Sequence, residues 1–73
     1  MAKDEQEAVV WLRKAADQGH AQAKFALGLM YDKGYGVPHD HKLAAVWWRR
    51  AADQGLAQAQ YNLGDSYRTE AKA

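Results

Sequence analysis

The sequence predicts an all-α fold of four helices, paired as two antiparallel helical hairpins. Three observations carry that expectation: an internal repeat, apolar residues at helical spacing within each copy, and Gly or Pro wherever that spacing breaks. Shifting the chain by 36 residues places Trp11 on Trp47, Arg13 on Arg49 and Ala15 to Gly19 on Ala51 to Gly55. The same shift places Ala21 to Ala23 on Ala57 to Ala59, Leu27 and Gly28 on Leu63 and Gly64, and Tyr31 on Tyr67. Between 8–31 and 44–67 there are 15 identities in 24 positions, where unrelated sequences give about one or two.

The first helix, expected over 4–18, carries Ala8, Trp11, Leu12, Ala15 and Ala16 at i, i+3, i+4, i+7 and i+8, a single apolar stripe. Asp4 is placed to cap it, with Glu7 three residues on completing a capping box. Gly19 ends it by taking the left-handed conformation that a Cβ opposes. A second helix over 21–33 puts Ala23, Leu27, Met30 and Tyr31 on one face and stops at Gly34. Two Gly and the only Pro then make 34–39 a loop. Asp40 caps a third helix over 40–54, with Ala44, Trp47, Trp48, Ala51 and Ala52 inward. Gly55 closes it, and a fourth helix over 57–70 carries Ala59, Leu63 and Tyr67.

Gly28 and Gly64 lie inside helices, where Gly costs about 1 kcal/mol relative to Ala. Packing supplies the reason: without a Cβ, a neighbouring helix or a large aromatic reaches the backbone. Trp11, Trp47 and Tyr31 are the expected knobs, with the two Trp in equivalent environments, and Ala and Gly are the holes.

The length admits one small domain, and zero Cys removes disulfides, thiol nucleophiles and thiolate metal sites. Ten Lys and Arg against nine Asp and Glu leave a net charge of +1, without the basic excess that marks nucleic-acid binding. Apolar runs such as Ala44 to Trp48 are far shorter than the ~20 residues of a membrane span. The N-terminus has no apolar signal core, so the chain as given has a cytoplasmic default, with a periplasmic or secreted site if a leader was trimmed.

The pattern A-x-V-W-x-R-x-A-A-D-Q-G-x-A-Q-A-x-x-x-L-G-x-x-Y, with the loop Gly34 to Pro38 and Asp40, resembles the Sel-one-like repeat, a relative of the tetratricopeptide repeat. The resemblance covers about 4–70 and implies a short right-handed α/α solenoid acting as an adaptor that holds protein complexes together. In the family the unit begins with the helix containing L-G-x-x-Y, so residues 1–73 divide into a half-unit (4–19), a whole unit (21–55) and a half-unit (57–70). The fourth helix lacks the G-x-G-V-P continuation, so the array is expected to stop there.

In tetratricopeptide-like arrays the first helix of each unit lines the groove. That implies a partner surface at Gln22, Phe25, Leu29, Asp32, Gln58, Tyr61, Asn62, Asp65 and Arg68. Several of these differ between the copies while the framework repeats, as Phe25/Tyr61, Leu29/Asp65 and Asp32/Arg68. The expected partner is a protein or peptide, with no cofactor and no metal. Some cysteine-rich relatives are linked to β-lactam binding or hydrolysis, but here Cys is absent, and Ser66 and Thr69 are the whole hydroxyl inventory apart from Tyr. No catalytic residue is expected.

His39, Asp40 and His41 are the one ligand-type cluster, read as solvated loop-end residues beside a cap, and His20 fills a turn. Arg13, Lys14, Arg49 and Arg50 lie in the last turns of their helices, facing the negative end of the dipole. Gln18, Gln22, Gln54 and Gln58 recur around the turns and are expected to hydrogen-bond backbone there.

A repeat buries its stripe by stacking on neighbours, and neither terminal helix looks like a polar cap. Val9, Val10, Trp11 and Leu12 at one end and Tyr61, Leu63 and Tyr67 at the other are the expected self-association surfaces of a homo-oligomer. A head-to-tail contact of these ends would form a ring or an open fibre, and a two-fold dimer closed by helix exchange at Gly34 to His39 is the favoured form. On this alternative the chain is a structural building block, natural or engineered, whose main activity is self-association.

Overall fold

The computed structural model describes residues 2–72, with side chains over 4–65 and at 68. Four helices follow one another, α1 (Ala2–Asp17), α2 (Ala21–Lys33), α3 (His41–Asp53) and α4 (Ala57–Lys72), with no strand among the described residues. Each packs on the next in sequence, α1 on α2, α2 on α3 and α3 on α4, the contact order of a helical solenoid.

Three of the four starts lie within a residue of expectation, and α1 departs furthest. It begins at Ala2, because Ala and Lys at positions 2 and 3 are both good helix formers. Asp4 and Glu7 are therefore inside the helix and form no capping box, whose acceptor must stand outside it. Asp4 and Glu5 instead occupy the first turn, where carboxylates meet the positive end of the helix dipole. Asp40 does cap α3: its backbone is extended, and its carboxylate accepts from the Leu43 N–H at 3.0 Å.

Gly19, Gly34 and Gly55 all have positive φ and end their helices, Gly34 donating its N–H to the Met30 carbonyl. Gly36 is positive as well, at φ 72°, and a Cβ there would stand 2.6 Å from the Glu5 carbonyl oxygen. Its bare backbone thus lets the α2–α3 loop lie directly on α1. Gln54 ties the two hairpin turns together by donating to the Gly19 carbonyl at 2.6 Å.

The core is small and centred on α2 and α3. Leu27 is fully buried, with Val9, Ala16, Ala23, Tyr31, Ala44, Trp47 and Trp48 around it. Trp48 lies on Gly28 so closely that a Cβ would stand 2.3 Å from its Nε1, and that N–H reaches the Phe25 carbonyl at 3.3 Å. Gly28 is the socket that the sequence implied. Gly64, its counterpart, has nothing among the described residues within 4 Å of where a Cβ would be.

The two Trp are likewise not equivalent. Trp47 is 9% exposed and lines a recess with Arg13 and Asp17 of α1, Tyr31 of α2, and Leu43 and Arg50 of its own helix. Trp11 is 69% exposed, because no described helix lies on the side of α1 where α1 itself lies for α3. Val9 turns into the core, while Leu12 and Leu63 are half-buried against it. Val10 and Tyr61 are exposed, and the Tyr67 side chain lies outside the described residues.

Candidate functional site

The surface with most varied chemistry lies where α2, α3 and α4 meet. Asp32, in the last turn of α2, lies with a carboxylate oxygen 3.0 Å from Nδ1 of His41, the first residue of α3. The pair bridges the loop between the helices and is about one-third exposed on either side. His41 is therefore no solvated loop end: the loop folds back so that the Asp40 N–H meets the Tyr31 carbonyl at 2.9 Å, bringing position 41 beside position 32. His39 stays exposed, and His20 precedes α2 without a side-chain capping bond.

Leu29, Asp32 and Lys33 of α2, His41 and Trp48 of α3, and Asn62 and Asp65 of α4 enclose a recess of about 260 Å³. A second, of about 270 Å³, is formed by Gln60, Tyr61, Gly64, Asp65 and Arg68 of α4. Asp65 belongs to both. It pairs with the Arg68 guanidinium one turn on, and that hydrogen bond, reinforced by the carboxylate's charge, raises the Arg68 pKa further above its ordinary value.

Of the nine residues expected to face a partner, Leu29, Asp32, Asn62 and Asp65 come together in the first recess, and Tyr61, Asp65 and Arg68 in the second. Gln22 and Gln58 are exposed apart from them, and Phe25 is half-buried against the core. Lys33, His41 and Trp48 also line the first recess and were not among the expected set. The sequence signal for His41 was available: it sits opposite Asp32 once the 34–39 loop is folded short.

Three of the four residues of the basic doublets engage aromatic rings or a hydroxyl. Arg13 donates to the Tyr31 hydroxyl, Lys14 stands 5.1 Å from the Trp11 ring centre, and Arg50 stands 5.0 Å from that of Trp47. Among the described residues no group of three or more His, Cys, Asp or Glu is placed to hold a metal ion. Also among them, no helix is long and apolar enough to cross a membrane.

Hairpins stacked in sequence order, with a polar recess on the stack, define a helical-repeat fold. The Sel1 repeat family model matches residues 1–20, 21–56 and 57–70, and the chain belongs to that family. Sel1 repeats are generally protein-interaction modules and typically non-catalytic scaffolds. Among solved structures, a Sel1 repeat protein from Oxalobacter formigenes is 44% identical with a TM-score of 0.79, over 81% of this chain and 24% of that one. The protein c5321, a protective antigen of uropathogenic Escherichia coli displaying the same fold, is 43% identical with a TM-score of 0.92, over 96% of this chain and 15% of that one. This chain thus spans a quarter or less of the length of these structural relatives. No curated protein matches it.

Proposed function

We propose that the chain is a non-catalytic protein-interaction module that takes a peptide or a partner domain along the face built by α2 and α4. The observation that supports this most is the pair of recesses sharing Asp65. They offer carboxylate, amide, imidazole, guanidinium and aromatic groups within one continuous strip of surface. Such a mixture suits recognition of a partner's side chains. The framework that holds the strip repeats between the two copies, while the strip's own residues diverge, as Leu29/Asp65 and Asp32/Arg68 do.

Selection of random displayed peptides against the 73-residue chain tests the assignment. Peptides so obtained are expected to lose at least about tenfold in affinity to Asp65→Lys and to Asn62→Arg. They are expected to be indifferent to Val46→Lys, on the exposed side of α3. Peptides that bind all three variants alike, or that depend on Val46, would place the working surface elsewhere.

A further inference from the structure

We propose that a second copy of this chain docks head to tail, its α1 lying on α3 and α4 in the register that α3 holds on α1 and α2. Three observations specify the same register. The first is the vacant glycine: Trp48 fills the surface over Gly28, whereas Gly64 has no described residue within 4 Å of where a Cβ would be. By the 36-residue shift the counterpart of Trp48 is Leu12, an apolar side chain that remains half-exposed on α1.

The second is the uncovered indole. Trp47 is 9% exposed and lines a recess together with Arg13 and Asp17 of α1 and Tyr31 of α2, while its counterpart Trp11 is 69% exposed. The counterparts of Arg13 and Asp17 are Arg49 and Asp53, on α3, so the surface that would cover Trp11 exists on every copy.

The third is charge. Asp32 on α2 and His41 on α3 meet at 3.0 Å. Their counterparts are Arg68 on α4 and Glu5 on α1, so both members change together: where a carboxylate of α2 meets an imidazole of α3, a guanidinium of α4 would meet a carboxylate of α1. Arg68 already holds Asp65, and the guanidinium has further N–H donors for a second carboxylate.

Glu5 and Leu12 lie seven residues apart on one helix, as His41 and Trp48 do, so one helix brings both to α4 at once, with Trp11 beside them. The opposite charges of Glu5 and Arg68, both carried by this chain, point to a second copy as the occupant. The contact joins two different surfaces, so it propagates as an open row rather than closing as a two-fold dimer. Helix exchange at Gly34 to His39, by contrast, would leave Trp11 exposed and would have to strip Gly36 from its seat on the Glu5 backbone. The docked copy would cover the second recess of the proposed peptide strip, since Gly64 and Arg68 belong to both; mass reads the association and peptide affinity reads the strip, so either can fail without the other.

Light scattering after size exclusion, run from low to high micromolar protein, is the test. The mass is expected to climb above 8.2 kDa with concentration. Glu5→Arg or Arg68→Glu alone is expected to weaken association at least about tenfold by setting like charges face to face. An equimolar mixture of the two variants is expected to restore it, since each altered helix then meets its opposite charge on the other chain. Gly64→Gln should weaken association with the circular dichroism spectrum unchanged. A mass fixed at 8.2 kDa overturns the proposal, as does association that ignores the single variants or is not restored on mixing.

Discussion

Gly28 and Gly64 occupy the same place in the repeat and face opposite surroundings, so the same substitution has opposite signs. At Gly28 a Cβ meets the rigid, nearly buried ring of Trp48 at 2.3 Å. The helix-propensity gain of Ala is overwhelmed there, and Gly28→Ala is expected to lower stability by about 1–2 kcal/mol. At Gly64 nothing stands in the way, and Gly64→Ala is expected to raise stability by about 0.5–1 kcal/mol. Urea unfolding at low micromolar protein, followed by circular dichroism, reads both. Equal shifts in the two variants would mean that Trp48 does not hold its place on α2. The residue types at such positions were legible in the sequence, since Leu-Gly recurs at the same offset and implies a close approach. Occupancy of the socket was not legible, because it depends on the neighbouring helix and not on the residues around the glycine. Trp11 and Trp47 teach the same thing: identical local sequence, one ring covered by α1 and α2, the other bare.

At the scale of the helix, type and extent follow from periodicity and punctuation, and the caps separate into one that acts and one that does not. Asp40 stands outside α3 in an extended conformation, with its carboxylate 3.0 Å from the Leu43 N–H, and satisfies a donor that the helix itself leaves free. Asp4 sits within α1 and offers only its charge to the helix dipole. Asp40→Ala is accordingly expected to cost about 1 kcal/mol, and Asp4→Ala about 0.3 kcal/mol. Thermal melts of the two variants distinguish them, and an equal loss in both would contradict the assigned start of α1. The sequence pattern for a cap, an acidic residue followed three positions later by Glu or Leu, does not reveal whether the helix has already begun. Two formers ahead of Asp4 decided it in α1, whereas Pro38 and the preceding glycines kept the chain out of helix ahead of Asp40. The candidate strip was legible to the same degree. Positions on α2 and α4 followed from helical spacing, but His41 and Trp48 entered it from α3 through the fold of a loop, which spacing within one helix cannot convey.

For the whole molecule, each helix packs chiefly on its neighbours in sequence, so stability is a sum of successive interfaces and need not be uniform along the stack. The fully buried Leu27, with Ala44, Trp48 and Ala51, concentrates the core at the α2–α3 interface, which also holds the Asp32–His41 pair and the Trp48 to Phe25 hydrogen bond. α1 is fastened by Val9, Ala16 and the seat of Gly36, and it leaves Val10 and Trp11 exposed. α4 is held by Ala59 and Leu63 and leaves Tyr61 73% exposed. Opening either outer helix therefore uncovers much less apolar surface than parting α2 from α3. At micromolar protein, native-state hydrogen exchange is expected to show the amides of α2 and α3 protected most, with those of α1 and α4 exchanging faster through partial opening that leaves the centre intact. Raising the protein concentration should slow exchange in α1 and α4 selectively, because a second copy docked there closes only those helices. Uniform protection over all four helices would show that the stack opens as one cooperative unit. Slowing spread equally along the chain would show that association involves the centre, as an exchange of hairpins does and an end-to-end contact does not.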